Sequence, residues 1–240
     1  MKTRVLKGLV LALTATLAAT SLTAMEFEEG THYERLTVPV QTADDTRVEV
    51  VEAFSYACIH CKTFDPSVEA WHDEQGAGVD FQRLPAIFNP TWAIFAQAYY
   101  TAEVLGVTEL VHTPIFSAIH EQGKDLRDPA AMAILFETFA GVSKEDFDQV
   151  YSSFGVRSKM QQAQAHGRAY GLTGTPSMIV DGIFRTDGQM SGSNAMMIEV
   201  VEYLVAMQAA ERGIDLPPPE TLAPENRVPE SPAGLTAAGE

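Results

Sequence analysis

Glu52-Ala53-Phe54-Ser55-Tyr56-Ala57-Cys58-Ile59-His60-Cys61 is the stretch on which the reading of this chain turns. It carries both cysteines of the 240-residue sequence, separated by two residues and placed directly after an apolar run of β character. A Cys-x-x-Cys where a strand gives way to a helix is a redox motif. Its spacing has a chemical reason: two cysteines one helical turn apart can close a small ring, so that one sulfur attacks and the other resolves. Cys58 falls at the helix N-terminus, where unpaired backbone N–H groups and the macrodipole favour a thiolate. His60 adds positive charge when protonated. Cys61, a turn further in, is shielded. Cys58 is therefore the exposed nucleophile and Cys61 the buried partner that completes or reverses the exchange. Two plainer uses compete. The pair could be half of a zinc site with His60 or His72 as a third ligand, but no second Cys/His pair completes four ligands. It could be an inert staple, but a disulfide across so short a loop constrains the unfolded chain very little.

Working outward, the chain is long enough for one domain with a substantial core, or one domain carrying an insertion. Its apolar content is 46% and its mean hydropathy −0.02, as in a soluble globular protein. The formal net charge is −16. Such an acidic body disfavours nucleic acid and anionic membrane surfaces as partners. Residues 1–24 read as a secretory signal: Lys2, Arg4 and Lys7, then the apolar Leu9 to Ala19, then small residues up to Ala24. The apolar run is short for a bilayer span, which sets an uncleaved anchor behind a cleaved signal. Removing these residues leaves the body more acidic still. The implied compartment is oxidising, a bacterial periplasm. A protein there whose only two cysteines form one Cys-x-x-Cys keeps no separate structural disulfide.

Taken in order, Tyr33 to Val40 has a short strand-like alternation, and Arg47 to Phe54 suits a buried central strand. Glu52 inside that run is unusual, because a carboxylate there costs much to bury unless it is partnered or protonated. It reads as a proton acceptor close to the cysteines; a strand-end residue reaching solvent is the alternative. Cys58 to Gln75 is helical, with Pro66 set to kink it. Val79 to Leu84 is the next strand. From Asn89 the pattern is helical for about eighty residues. Asn89-Pro90 opens one helix, closed at Gly106; Thr108 starts a second, with Leu110, Val111, Ile115 and Ile119 as its stripe. Asp128-Pro129 caps a third, carrying Met132, Leu135, Phe136 and Phe139. Ser143 with Asp146 resembles a capping box, followed by Phe147, Val150, Tyr151 and Phe154. Arg157 to Tyr170 is the last helix of the block. Asp181-Gly182 is a hairpin signal joining Ser177–Val180 to Ile183–Arg185. Ser193 caps a final helix that ends at Gly213, and the acidic, Pro-rich remainder reads as a disordered tail. No residue set asks for haem, flavin or nucleotide; Gly171 and Gly174 make no G-x-G-x-x-G.

Strand, strand, redox helix, strand, helical block, hairpin and helix make an α/β layout, a thioredoxin fold interrupted by an all-helical insertion. The chain resembles the DsbA-type periplasmic thiol:disulfide oxidoreductases. The likeness rests on Val51 to Cys61, on Gly174-Thr175-Pro176-Ser177-Met178-Ile179-Val180-Asp181-Gly182, and on the helices between. It divides the chain into a signal over 1–24, thioredoxin-like parts over 25–88 and 171–213, a helical insertion over 89–170 and a tail over 214–240. It implies that Pro176 is a cis-proline facing the cysteines, that Thr175 pairs with an extended substrate segment, and that Glu52 is the buried acid beneath the cysteine pair. It further implies donation of the Cys58–Cys61 disulfide to exported, folding proteins. A membrane quinone-linked thiol oxidase of DsbB type would reoxidise the pair, with no cofactor beyond the disulfide and a monomeric protein. Ile59-His60 replaces the more common Pro-His between the cysteines, and Thr175 replaces Val; both can tune redox potential and substrate release. Two other readings share these residues: an isomerase or reductase on the same scaffold, which lacks room here for an added dimerisation domain, and a non-catalytic chaperone using an apolar groove.

Overall fold

The computed structural model describes residues 27–216. The leader over 1–24 and nearly all of the tail lie outside them. Five strands form one sheet: β1 (Glu34–Arg35), β2 (Val48–Phe54), β3 (Val79–Pro85), β4 (Ser177–Val180) and β5 (Phe184–Asp187), in the order β1-β5-β4-β2-β3. β2 and β3 run parallel; every other pairing is antiparallel. The crossover between β2 and β3 is α1 (Ile59–Asp73). Between β3 and β4 lie α2 (Pro90–Leu105), α3 (Thr108–His120), α4 (Pro129–Ala140), α5 (Lys144–Tyr151) and α6 (Phe154–Ala169); α7 (Asn194–Arg212) closes the described chain. This is the thioredoxin arrangement carrying a helical insertion.

β2 is buried along its whole length because both faces of the sheet are covered. Val48 and Val50 join Phe64, Val68, Trp71, Met178, Val200, Val201 and Leu204 in a core beneath α1 and α7. Val51, Ala53 and Ile179 face the other core, shared with Phe116, Phe136 and Phe147 of the inserted helices. Caps follow the side chains that can make them: Asn89, Asp128, Ser143 and Ser193 each accept a backbone N–H of the first turn.

Several elements depart from the sequence reading. α6 starts at Phe154, not Arg157, because the Ser153 hydroxyl accepts from Val156 N and opens a new helix straight after α5. Phe154, assigned above to the preceding stripe, is 78% exposed at that start. Leu110 and Phe139 are exposed too, since α3 packs through Val111, Ile115 and Phe116 and α4 through Met132, Leu135 and Phe136. α1 runs on through Pro66, as read, but ends at Asp73, two residues before the expected Gln75. β5 lies one to two residues later than expected, because Asp181 and Gly182 are both left-handed (φ 55 and 60) and Ile183 N closes the turn on the Val180 carbonyl at 3.0 Å. Past Gly213 the chain stays on the body through Leu216: Ile214 and Leu216 pack against the core beneath α7.

Candidate active site

Cys58 is the N-cap of α1, with extended backbone (φ −94, ψ 115). The turn before it is closed by Cys58 N donating to the Ser55 carbonyl at 2.9 Å and Ala57 N to Ser55 Oγ at 3.2 Å. Cys61 N donates to Cys58 Sγ at 3.4 Å, which gives the sulfur one of the orphan N–H groups of the helix end. Both cysteines are free thiols here; Cys58 is part-exposed and Cys61 fully buried. Cys58 is pulled from the ordinary thiol range to about 5, first by the hydrogen bond from the Cys61 thiol, then by Thr175 and by the backbone N–H groups of Cys61 and His60. Cys61 is pushed far up, mainly by burial and then by the bond it gives to Cys58. His60 acts on the sulfur through its backbone N–H; its side chain is exposed.

The sheet delivers the opposing wall. β4 runs antiparallel to β2 with Ser177 opposite Ala53, so the residues just before β4 come alongside the Ser55–Cys58 turn. There the Thr175–Pro176 peptide is cis. The Cys58 thiol donates to the Thr175 carbonyl at 3.4 Å. Thr175 Oγ1, buried beside the sulfurs, has no partner while Cys58 keeps its proton, and its hydroxyl is the group that steadies the thiolate once Cys58 ionises. A groove of about 500 Å³ runs from His60 across Thr175 and Pro176 to Asp187, Gln189 and Asn194. Ile59 and Phe88 stand exposed on the same molecule, 50% and 45% respectively.

Glu52 is 1% exposed, and burial lifts its carboxyl to about 7. Arg83, its register partner on β3, donates to it at 3.0 Å and opposes that rise. The same guanidinium bonds Glu69 at 2.5 Å and lies 3.6 Å from Asp65, so three carboxylates share one cation. Those two acids add to the lift on Glu52, and Glu52 in turn helps to raise Cys61, which places it within electrostatic reach of the buried thiol. The strand-end reading of Glu52 is set aside.

Arg83, Asp65, Glu69, His112, Tyr56 and His120 were not singled out from the sequence. Arg83 gave a weaker signal than Glu52, because Asp80 and Gln82 make its strand mixed in polarity. Asp65, Glu69 and His112 form the metal-like cluster of the described residues, yet Arg83 already supplies its positive charge. His72 sits against Phe81, ring centroids 4.8 Å apart, near the far end of α1, about 20 Å along the helix from Cys58. It does not join the cysteines.

A thiol at a helix start, low enough to ionise at neutral pH and facing a cis-proline on this sheet, is the equipment of a thiol:disulfide oxidoreductase of the thioredoxin class. Comparison with known proteins narrows the class. A family model described as a DSBA-like thioredoxin domain matches residues 74–198. The thiol:disulfide interchange protein DsbA of Azotobacter vinelandii is 37% identical over 209 residues, covering 85% of this chain and 97% of its own. The protein of the same name from Pseudomonas aeruginosa is 37% identical over 205 residues, covering 83% and 97%. The crystal structure of Pseudomonas aeruginosa DsbA matches with a TM-score of 0.74 at 35% identity, over 78% of this chain and 97% of that one. The oxidoreductase DsbA from Xylella fastidiosa gives 0.71 at 32% identity, over 75% and 97%. The chain belongs to the DsbA-like thioredoxin family.

Proposed function

We propose that the chain oxidises dithiols in exported proteins, with Cys58 as the reacting sulfur. A substrate thiolate attacks Cys58 of the oxidised pair; the Cys58–Cys61 bond breaks, Cys61 leaves and takes a proton, and a mixed disulfide forms on Cys58. A second substrate thiolate attacks the substrate sulfur of that bond. Cys58 leaves as a thiolate, and two electrons have passed from the substrate dithiol to the pair. The carrying observation is the asymmetry of the sulfurs: Cys58 is the low, accessible one and Cys61 the high, buried one. The better leaving group is thus the sulfur that must release product. Glu52 handles the Cys61 proton, supplying it as Cys61 leaves and accepting it back when the pair is reoxidised, supported by its burial beneath the pair and its carboxyl near 7. Thr175 and Pro176 hold an extended substrate segment along the groove that His60 borders.

The setting is the periplasm, reached through the leader over 1–24. Among the described residues no helix is long and apolar enough to cross a membrane. The partners are cysteine-bearing proteins that are still folding and a membrane quinone-linked thiol oxidase that restores the disulfide. The pair itself is the only redox group required, and the protein acts as a monomer. Oxidation of a reduced two-cysteine peptide by the oxidised chain tests the central claim. Stoichiometric loss of peptide thiols, abolished in Cys58→Ala, is expected. Failure of the unmodified chain to oxidise the peptide overturns it.

A further inference from the structure

α3 holds one residue of the redox turn from two directions. Tyr56, two positions before Cys58, is 1% exposed. Its hydroxyl lies 2.8 Å from His112 Nδ1, and its carbonyl accepts from His120 Nε2 at 2.8 Å. The two histidines stand eight residues apart, on the same side of α3 about two turns from each other. His112 is itself fixed: its Nε2 lies 2.9 Å from Asp65 Oδ1 on α1. An acceptor at Nε2 places a ring proton there, and Nδ1 is left to bond the Tyr56 hydroxyl. The link runs from Tyr56 through His112 to Asp65, and it ends on the acid that also lies against Arg83. Phe54 and Phe116 enclose the Tyr56 ring with centroids at 5.2 and 4.9 Å, which leaves it no second seat.

We propose that His112 and His120 are positioning residues for the redox site: by clasping Tyr56 they fix the Ser55–Cys58 turn and so hold the Cys58 sulfur where the α1 N–H groups meet it. The clasp bears unequally on the two redox forms. In the dithiol, only weak, direction-dependent bonds place the sulfur. In the disulfide, the covalent link to Cys61 places it. Loosening Tyr56 therefore weakens the dithiol more than the disulfide and makes the pair a poorer oxidant.

The inference rests on the exchange reaction proposed above, and the unmodified chain is the control that separates the two: if it fails to oxidise the peptide, the reaction is at fault and not the clasp. Tyr56→Phe keeps the ring and deletes one bond. In glutathione redox buffers its dithiol–disulfide equilibrium is expected to move about 2- to 12-fold toward the disulfide, the equivalent of one net hydrogen bond. Unfolding of both forms is followed in parallel, with the reduced form losing more stability than the oxidised. His120→Gln tests the second grip in the same way. The double variant Tyr56→Phe/His112→Gln should shift the equilibrium no further than the larger single change, since both break one link. Equal destabilisation of the two redox forms in Tyr56→Phe and His120→Gln, with the glutathione equilibrium unmoved, overturns the proposal and leaves the histidines a packing role only.

Discussion

Cys58 and Cys61 sit one helical turn apart yet hold their protons very differently. The shielding of Cys61 follows from its place on the inward stripe with Phe64 and Val68, and that much could be read from spacing. What spacing could not show is the leading cause of the Cys58 depression, the hydrogen bond from the Cys61 thiol. Cys61→Ala removes that donor and nothing larger. A bond to a charged acceptor is worth about 1.5–3 kcal/mol, so the Cys58 pKa should climb by roughly one to two units from about 5. Thiolate ultraviolet absorbance against pH reads it directly. No climb would hand the effect to the helix end alone. Thr175→Val is a second residue-scale test, because Thr175 follows next among the groups that lower Cys58. A smaller upward shift by the same titration is expected there.

Elements were legible where local chemistry punctuates them. Asn89-Pro90, Asp128-Pro129 and Ser193 start helices as read, since a side-chain cap needs only neighbours in sequence. The start of α6 was not, because Ser152-Ser153 looks like the end of one helix and is also the cap of the next. The buried cluster was hidden for a different reason. His112 lies 47 residues from Asp65 and 56 from Tyr56, and only the packing of α3 on α1 unites them. The hairpin that aligns Pro176 with the cysteines depends on Gly182 twice over. Its φ of 60 disfavours a side chain, and an added Cβ would lie 2.0 Å from the Val40 carbonyl. Gly182→Ala should therefore cost about 2–4 kcal/mol in denaturant unfolding, combining left-handed strain with overpacking. A loss below about 0.5 kcal/mol would mean that the Val40 segment simply moves aside.

At the scale of the whole molecule, the sheet separates two cores, and the face under α1 also houses a charge cluster of three acids and one arginine. That cluster ties stability to pH through Glu52. Its carboxyl titrates near 4.5 in the unfolded chain and about 7 when buried, so the folded state binds the proton more tightly. The stabilisation this gives is complete below 4.5 and is lost as pH rises through 7, by roughly 3 kcal/mol in all. Glu52→Gln mimics the protonated acid and leaves Arg83 its bonds to Glu69 and Asp65. The comparison belongs in the oxidised form, where Cys58 has no proton to lose. There the unmodified protein should lose stability relative to Glu52→Gln between pH 4.5 and 7, the gap between the two curves widening steadily over that interval and levelling off above about 7. The same variant should slow reoxidation of the pair chiefly above that pH, where the ionised Glu52 would otherwise take the Cys61 proton. Parallel stability curves for the two proteins would mean that Arg83 keeps Glu52 ionised throughout, and the acceptor of the Cys61 proton would then have to be water.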